Sequence, residues 1–173
     1  MKSKLILAAL MLAWPAFAAA AAPAKPPGCT SPESRQFDFW VGKWDVFPKS
    51  HPDRKVANSL IERLYSGCGI RENWMPLKGG SGGSLNAYDP VTKRWRQFWA
   101  DSDGSSALFT GGLVGTAMVI EGVWPQPGHP HQRTRITYTP MADGSVEQAG
   151  EASNDNGKTW KKSFDLIYRK PAN

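Results

Sequence analysis

The sequence predicts an all-β protein: an antiparallel up-and-down barrel of about ten strands behind a short N-terminal helix, with a β-sandwich as the runner-up. Three observations carry this expectation. Beyond Pro48, turn residues recur about every ten positions. Between them apolar and polar residues alternate at period two, and hardly any segment holds helical periodicity for about eleven residues. A meander of that many strands must also deal with its two edges, and closing into a barrel removes them.

The elements follow in order. Residues 1–22 read as a signal peptide: Lys2 and Lys4 form a basic start, Leu5 to Phe17 is apolar, and Ala18 to Ala22 offers small residues for cleavage. The apolar run is short for a retained anchor, so no membrane span is expected after cleavage, and the protein is expected in the periplasm or outside the cell. Residues 23–31 are a Pro-rich arm, and 32–173 form a single domain by length. The formal charge is +6, of which Lys2 and Lys4 supply two. The rest is spread along solvated strand faces and does not suggest a nucleic-acid partner. Cys29 and Cys68 are an even count in an oxidising compartment, which favours a disulfide over two free thiols.

Ser31-Pro32-Glu33 opens the short helix, with a capping serine, proline at the first position and an acid in the first turn. Gly42 stops it, and from Lys43 the period becomes two. Strands are expected over 43–47, 57–65, 70–76, 84–88, 94–101, 105–112, 116–124, 132–139, 145–153 and 160–169. Gly79 to Gly83 reads as a flexible loop, and three prolines make 125–131 a loop. Asp103-Gly104 and Asp143-Gly144 are hairpin turns.

Two motifs bear on architecture. Ser153-x-Asp155-x-Gly157-x-Thr159-Trp160 matches the Asp-box at every defined position. Asp155 can accept turn amides, Gly157 can take a positive φ, and Trp160 can cover the hairpin. A single copy reads as a structural clasp. Gly42-x-Trp44 after a short helix resembles the first-strand signature of lipocalins and their calycin relatives. That resemblance implies Trp44 as a plug of the closed barrel end, with a basic side chain near the last strand over it. Arg169 is the candidate for that cation.

The resemblance extends along the chain. Phe37-Asp38-Phe39-Trp40-Val41-Gly42-Lys43-Trp44-Asp45-Val46, then Tyr88-Asp89, Trp95-x-Gln97-x-Trp99-x-Asp101 and the closing Asp-box hairpin resemble an exported bacterial family of unknown function. That likeness implies no reaction and no catalytic residues.

The alternating faces supply the candidate site. Glu72, Asn86, Tyr88, Gln97 and Asp101 fall in register with Trp74, Trp95 and Trp99. Aromatic walls with a few convergent polar groups are what a small-molecule pocket needs. A packed polar core and an exposed face are the other readings. Glu72 and Asp101 are the weak catalytic candidates, an acid/base pair if they share one space. His129-x-His131 is no zinc spacing, the glycine-rich loop lacks a P-loop ending, and no metal or cofactor is expected. The leading function is an exported barrel binding a small, partly apolar ligand. A calycin-type hydratase, isomerase or hydrolase using an interior carboxylate is one alternative, and a protein-interaction module the other.

Overall fold

The computed structural model describes residues 29–172. The expected signal peptide and the expected Pro-rich arm up to Gly28 lie outside the described residues. Ten antiparallel strands close into a barrel. They are β1 (Gly42–Pro48), β2 (Ala57–Leu64), β3 (Gly69–Pro76), β4 (Gly82–Asp89), β5 (Arg94–Asp101), β6 (Ser106–Val114), β7 (Ala117–Val123), β8 (Arg133–Pro140), β9 (Val146–Ser153) and β10 (Lys161–Arg169). Each strand pairs with its sequence neighbours, and β1 closes the ring by pairing with β10, Val46 opposite Tyr168. A sandwich is excluded by that closure.

The N-terminal segment forms two 3-10 turns, Glu33–Arg35 and Asp38–Trp40, where a short helix was expected. Ser31 Oγ accepts the Ser34 N–H at 3.3 Å, so the serine does serve the first turn. The tighter winding has a packing reason. Side chains three apart eclipse in a 3-10 turn, and Phe37 stacks on Trp40 with centroids 4.9 Å apart and planes 17° apart. Phe37 meets Trp95 and Tyr138 edge-on, and Trp40 packs against Tyr138 and Tyr168. The two rings fill one end of the barrel. The Cys29–Cys68 disulfide ties this segment to the turn Tyr65–Gly67 between β2 and β3, closing a loop of 39 residues. A loop of that length corresponds to about 4 kcal/mol of denatured-state entropy.

Trp44 is buried beside this plug and donates its indole N–H to the Trp40 carbonyl at 2.8 Å. The cation over its ring is Lys170, with Nζ 3.5 Å from the centroid, and not Arg169. Alternation explains the correction. Tyr168 points inward, so Arg169 points outward, where it packs on Phe47 and donates to the Pro52 carbonyl at 2.9 Å. Lys170 lies past the strand end and curls beneath the barrel. Gly42 sits at φ 145°, a conformation that favours glycine, and a Cβ there would displace the Lys170 ammonium from its place.

At the other end the Asp-box hairpin is a clasp. Asp155 accepts the Thr159 N–H at 2.9 Å and hydroxyl at 2.6 Å, and these bonds with Ser153 pull its carboxyl down to about 2. The Gly157 N–H donates to Ser153 Oγ, Trp160 donates to the Gly157 carbonyl, and Arg135 covers the Trp160 ring at 4.1 Å. The expected loop of Gly79 to Gly83 is partly strand: Gly82 and Gly83 belong to β4 and pair with Trp74 and Asn73.

On the outer surface, Leu85, Phe98, Leu108 and Val123 stand directly opposite one another across β4, β5, β6 and β7. All four are exposed, Leu108 at 71 %. Among the described residues no helix is long and apolar enough to cross a membrane.

Candidate functional site

Inward-facing residues build the interior in three layers. The first is the aromatic plug of Phe37, Trp40, Trp44 and Trp95. Above it lies a belt of buried polar side chains, and above the belt a cavity.

The belt is a connected hydrogen-bond network. Asn86 Nδ2 donates to the Ile70 carbonyl at 3.1 Å and to Ser84 Oγ at 3.0 Å. Gln97 Nε2 donates to Asn86 Oδ1 at 2.7 Å and to the Tyr138 hydroxyl at 3.3 Å. Glu72 accepts Ser59 Oγ and Ser84 Oγ, each at 3.2 Å. The Tyr168 hydroxyl lies 3.3 Å from Glu72 Oε1 and 2.9 Å from Gln148 Oε1. Such groups must be paired because burying a lone polar atom costs a few kcal/mol.

Tyr168 carries one hydroxyl proton for two acceptors. If Glu72 is neutral, its O–H can donate to the Tyr168 oxygen, and Tyr168 donates to Gln148. If Glu72 is ionised, it accepts the Tyr168 O–H and Gln148 Oε1 loses that donor. Burial pushes the Glu72 carboxyl up to about 7, against the pull of Ser59, Ser84 and Tyr168. Both forms are therefore populated near neutrality. Burial and the nearby Glu72 charge raise Tyr138 and Tyr168, which stay neutral.

The cavity above the belt has a volume of about 190 Å³. Glu72, Gln97, Gln148, Tyr138 and Tyr168 line it at the belt, and Trp74, Trp99, Phe109, Trp124, Phe164, Ile136 and Leu166 form its walls. Two rings are held back against the sheet. Trp99 lies over Gly82 and Phe164 over Gly150, where a Cβ would run into either ring. Phe164 shares the inward face of Leu166 and Tyr168, just past a β-bulge between Lys162 and Phe164. Trp124 packs against Trp99 and Phe109, at 6.1 Å from each, and its indole donates to Ser105 Oγ at 2.7 Å.

Of the sequence-predicted residues, Glu72, Trp74, Gln97 and Trp99 come together on the cavity. Asn86, Tyr88 and Trp95 do not. Asn86 is enclosed in the belt. Trp95 joins the plug, donating to Gln36 Oε1 at 3.3 Å, and Tyr88 packs on it at 6.0 Å. Trp95 and Trp99 share a face but stand four residues apart, about 13 Å along the strand. Asp101 is also away from the cavity wall. Its Oδ1 accepts the Asp103 and Ser105 amides and its Oδ2 the Trp99 indole, so it clasps the β5–β6 turn. The Glu72–Asp101 acid/base pair is not assembled.

Sequence reasoning missed Phe109, Ile136, Tyr138, Gln148, Phe164, Leu166 and Tyr168, which sit on inward faces of β6, β8, β9 and β10, and Trp124, just past the end of β7. The alternation Thr134, Ile136, Tyr138 was an available signal. His129 and His131 lie on the exposed β7–β8 loop. Among the described residues no three His, Cys, Asp or Glu side chains gather to hold a metal ion.

Chemically, the site offers aromatic faces, neutral hydrogen-bonding groups and one carboxyl able to exchange a proton near neutrality. No protein-family model and no curated protein matches the chain, so the site is read from its own geometry.

Proposed function

We propose that this is an exported, lipocalin-like carrier that binds one small, partly apolar molecule inside the barrel. The observation that carries the reading is the cavity of about 190 Å³, walled by Trp74, Trp99, Trp124, Phe109 and Phe164 over a polar floor. Aromatic walls supply affinity, and a few fixed polar groups supply orientation. The volume lies below the roughly 300 Å³ at which drug-sized sites begin. The ligand is therefore small, or leaves part of itself outside. The leader-like N-terminus, the disulfide and the likeness to lipocalins and to an exported bacterial family support export and carriage.

Titrating the purified protein with small aromatic and alicyclic molecules, while following tryptophan emission, tests the reading. Saturable changes that weaken in Trp99→Ala support it. A panel that leaves the emission unchanged in the wild type removes it.

One observation favours a second, compatible reading as an interaction module: the exposed row Leu85, Phe98, Leu108 and Val123. Sedimentation of the wild type and Leu108→Asp tests self-association through this row: a dimer lost in the variant supports it, and a wild-type monomer removes it.

A further inference from the structure

The cavity floor holds one ionisable carboxyl with no basic partner. None of the ion pairs among the described residues includes Glu72. Around it β2 presents Ser59, β4 Ser84 and Asn86, β5 Gln97, β8 Tyr138, β9 Gln148 and β10 Tyr168. No lysine, arginine or histidine lines the cavity. A carboxylate has about four acceptor positions, and three hydroxyl donors reach Glu72. One position is left on a side chain that borders the cavity.

The walls complement the floor. Trp74, Trp99, Trp124, Phe109 and Phe164 surround the space with aromatic rings, whose faces attract cations through their quadrupoles. A neutral ligand would leave an ionised Glu72 buried and unpaired, and an anion would meet its charge with no basic group to offset it.

We propose that the cavity selects a small organic cation, a protonated amine on an apolar or aromatic body, with Glu72 as its counter-ion. This deepens the carrier reading and rests on it. The ammonium takes the open acceptor position on Glu72, and the body fills the space between the tryptophans. Binding is linked to a proton. In the empty site the carboxyl titrates at about 7. An arriving ammonium favours the carboxylate, so below that pH binding expels a proton, and well above it no proton moves.

The test compares 2-phenylethylamine with 2-phenylethanol, which share body and length but differ in charge. At pH 8, calorimetry and tryptophan emission should show the wild type binding the amine tighter by about ten-fold or more. Glu72→Gln keeps the side-chain volume and should erase that preference. At pH 6 the wild type should release a proton on binding the amine, read from heats in two buffers of different ionisation enthalpy. Equal wild-type affinity for both compounds overturns the cation assignment while leaving the carrier reading intact. An amine preference that persists in Glu72→Gln, or binding at pH 6 without proton release, overturns the role of Glu72. Failure of both compounds to bind at millimolar concentration counts against the assignment and the carrier reading together.

Discussion

The two halves of the barrel interior are built from the same residue types and end in opposite states. In the closed half, Phe37 and Trp40 enter from the 3-10 turns and fill the space against Trp95, Tyr138 and Tyr168. In the open half, Trp74, Trp99, Trp124 and Phe164 stand around a void of about 190 Å³. The difference lies in what the rings lean on. At the closed end two rings from the N-terminal turns pack into the middle. At the open end Trp99 packs on Trp124 yet lies back over Gly82, as Phe164 does over Gly150, and a cavity remains. Aromatic content by itself does not distinguish a plug from a pocket; the partner of each ring does.

The largest effect expected from breaking this contrast is on stability. Trp40 is fully buried, so Trp40→Ala should cost about 3–5 kcal/mol. Trp99→Ala, beside a void, should cost under about 2 kcal/mol. Urea unfolding of the pair checks this, and equal costs would dissolve the distinction between the halves.

The second effect separates the belt from both ends. Glu72 titrates near 4.5 in the unfolded chain and at about 7 when folded. The folded state therefore binds the extra proton between those values. Its stabilising contribution is fully present below about 4.5 and lost as pH rises through about 7. The difference corresponds to about 3 kcal/mol. Wild-type stability relative to Glu72→Gln should fall by roughly that amount across the window, measured as urea midpoints from pH 4 to pH 8. A parallel pH profile in the two proteins would show that Glu72 is not buried as described.

The smallest effect concerns the underside of the plug. Lys170→Met should cost about 1 kcal/mol through the lost cation–π contact with Trp44. Arg169→Met should leave the Trp44 environment unchanged, because Arg169 faces Phe47. Thermal melts and the Trp44 indole resonance distinguish the two.

The strand count, the closure and the inward faces of β3 and β5 were legible in the sequence, because period-two alternation reports faces directly. Depth along the barrel was not. Trp95 and Trp99 look equivalent in Trp95-Arg96-Gln97-Phe98-Trp99, yet one plugs the end and the other walls the cavity. Only pairing register and the position of the N-terminal turns assign depth. The cation over Trp44 was misplaced by one residue for a related reason: alternation reverses facing at each step, and Lys170 lies beyond the last pair. Phe164 keeps the alternation of Leu166 and Tyr168 and was legible as inward, since the bulge lies before it. The Asp-box was legible as a hairpin clasp because all its bonds are local.

The most direct test is the indole N–H spectrum of the protein as 2-phenylethylamine is added. Trp74, Trp99 and Trp124 line the cavity, whereas Trp40, Trp44 and Trp95 lie in the buried core and Trp160 on the Asp-box hairpin. The account predicts saturable shifts in the Trp74, Trp99 and Trp124 resonances and still positions for Trp40, Trp44, Trp95 and Trp160. Shifts spread evenly over both sets, or confined to the plug and the hairpin, would contradict it.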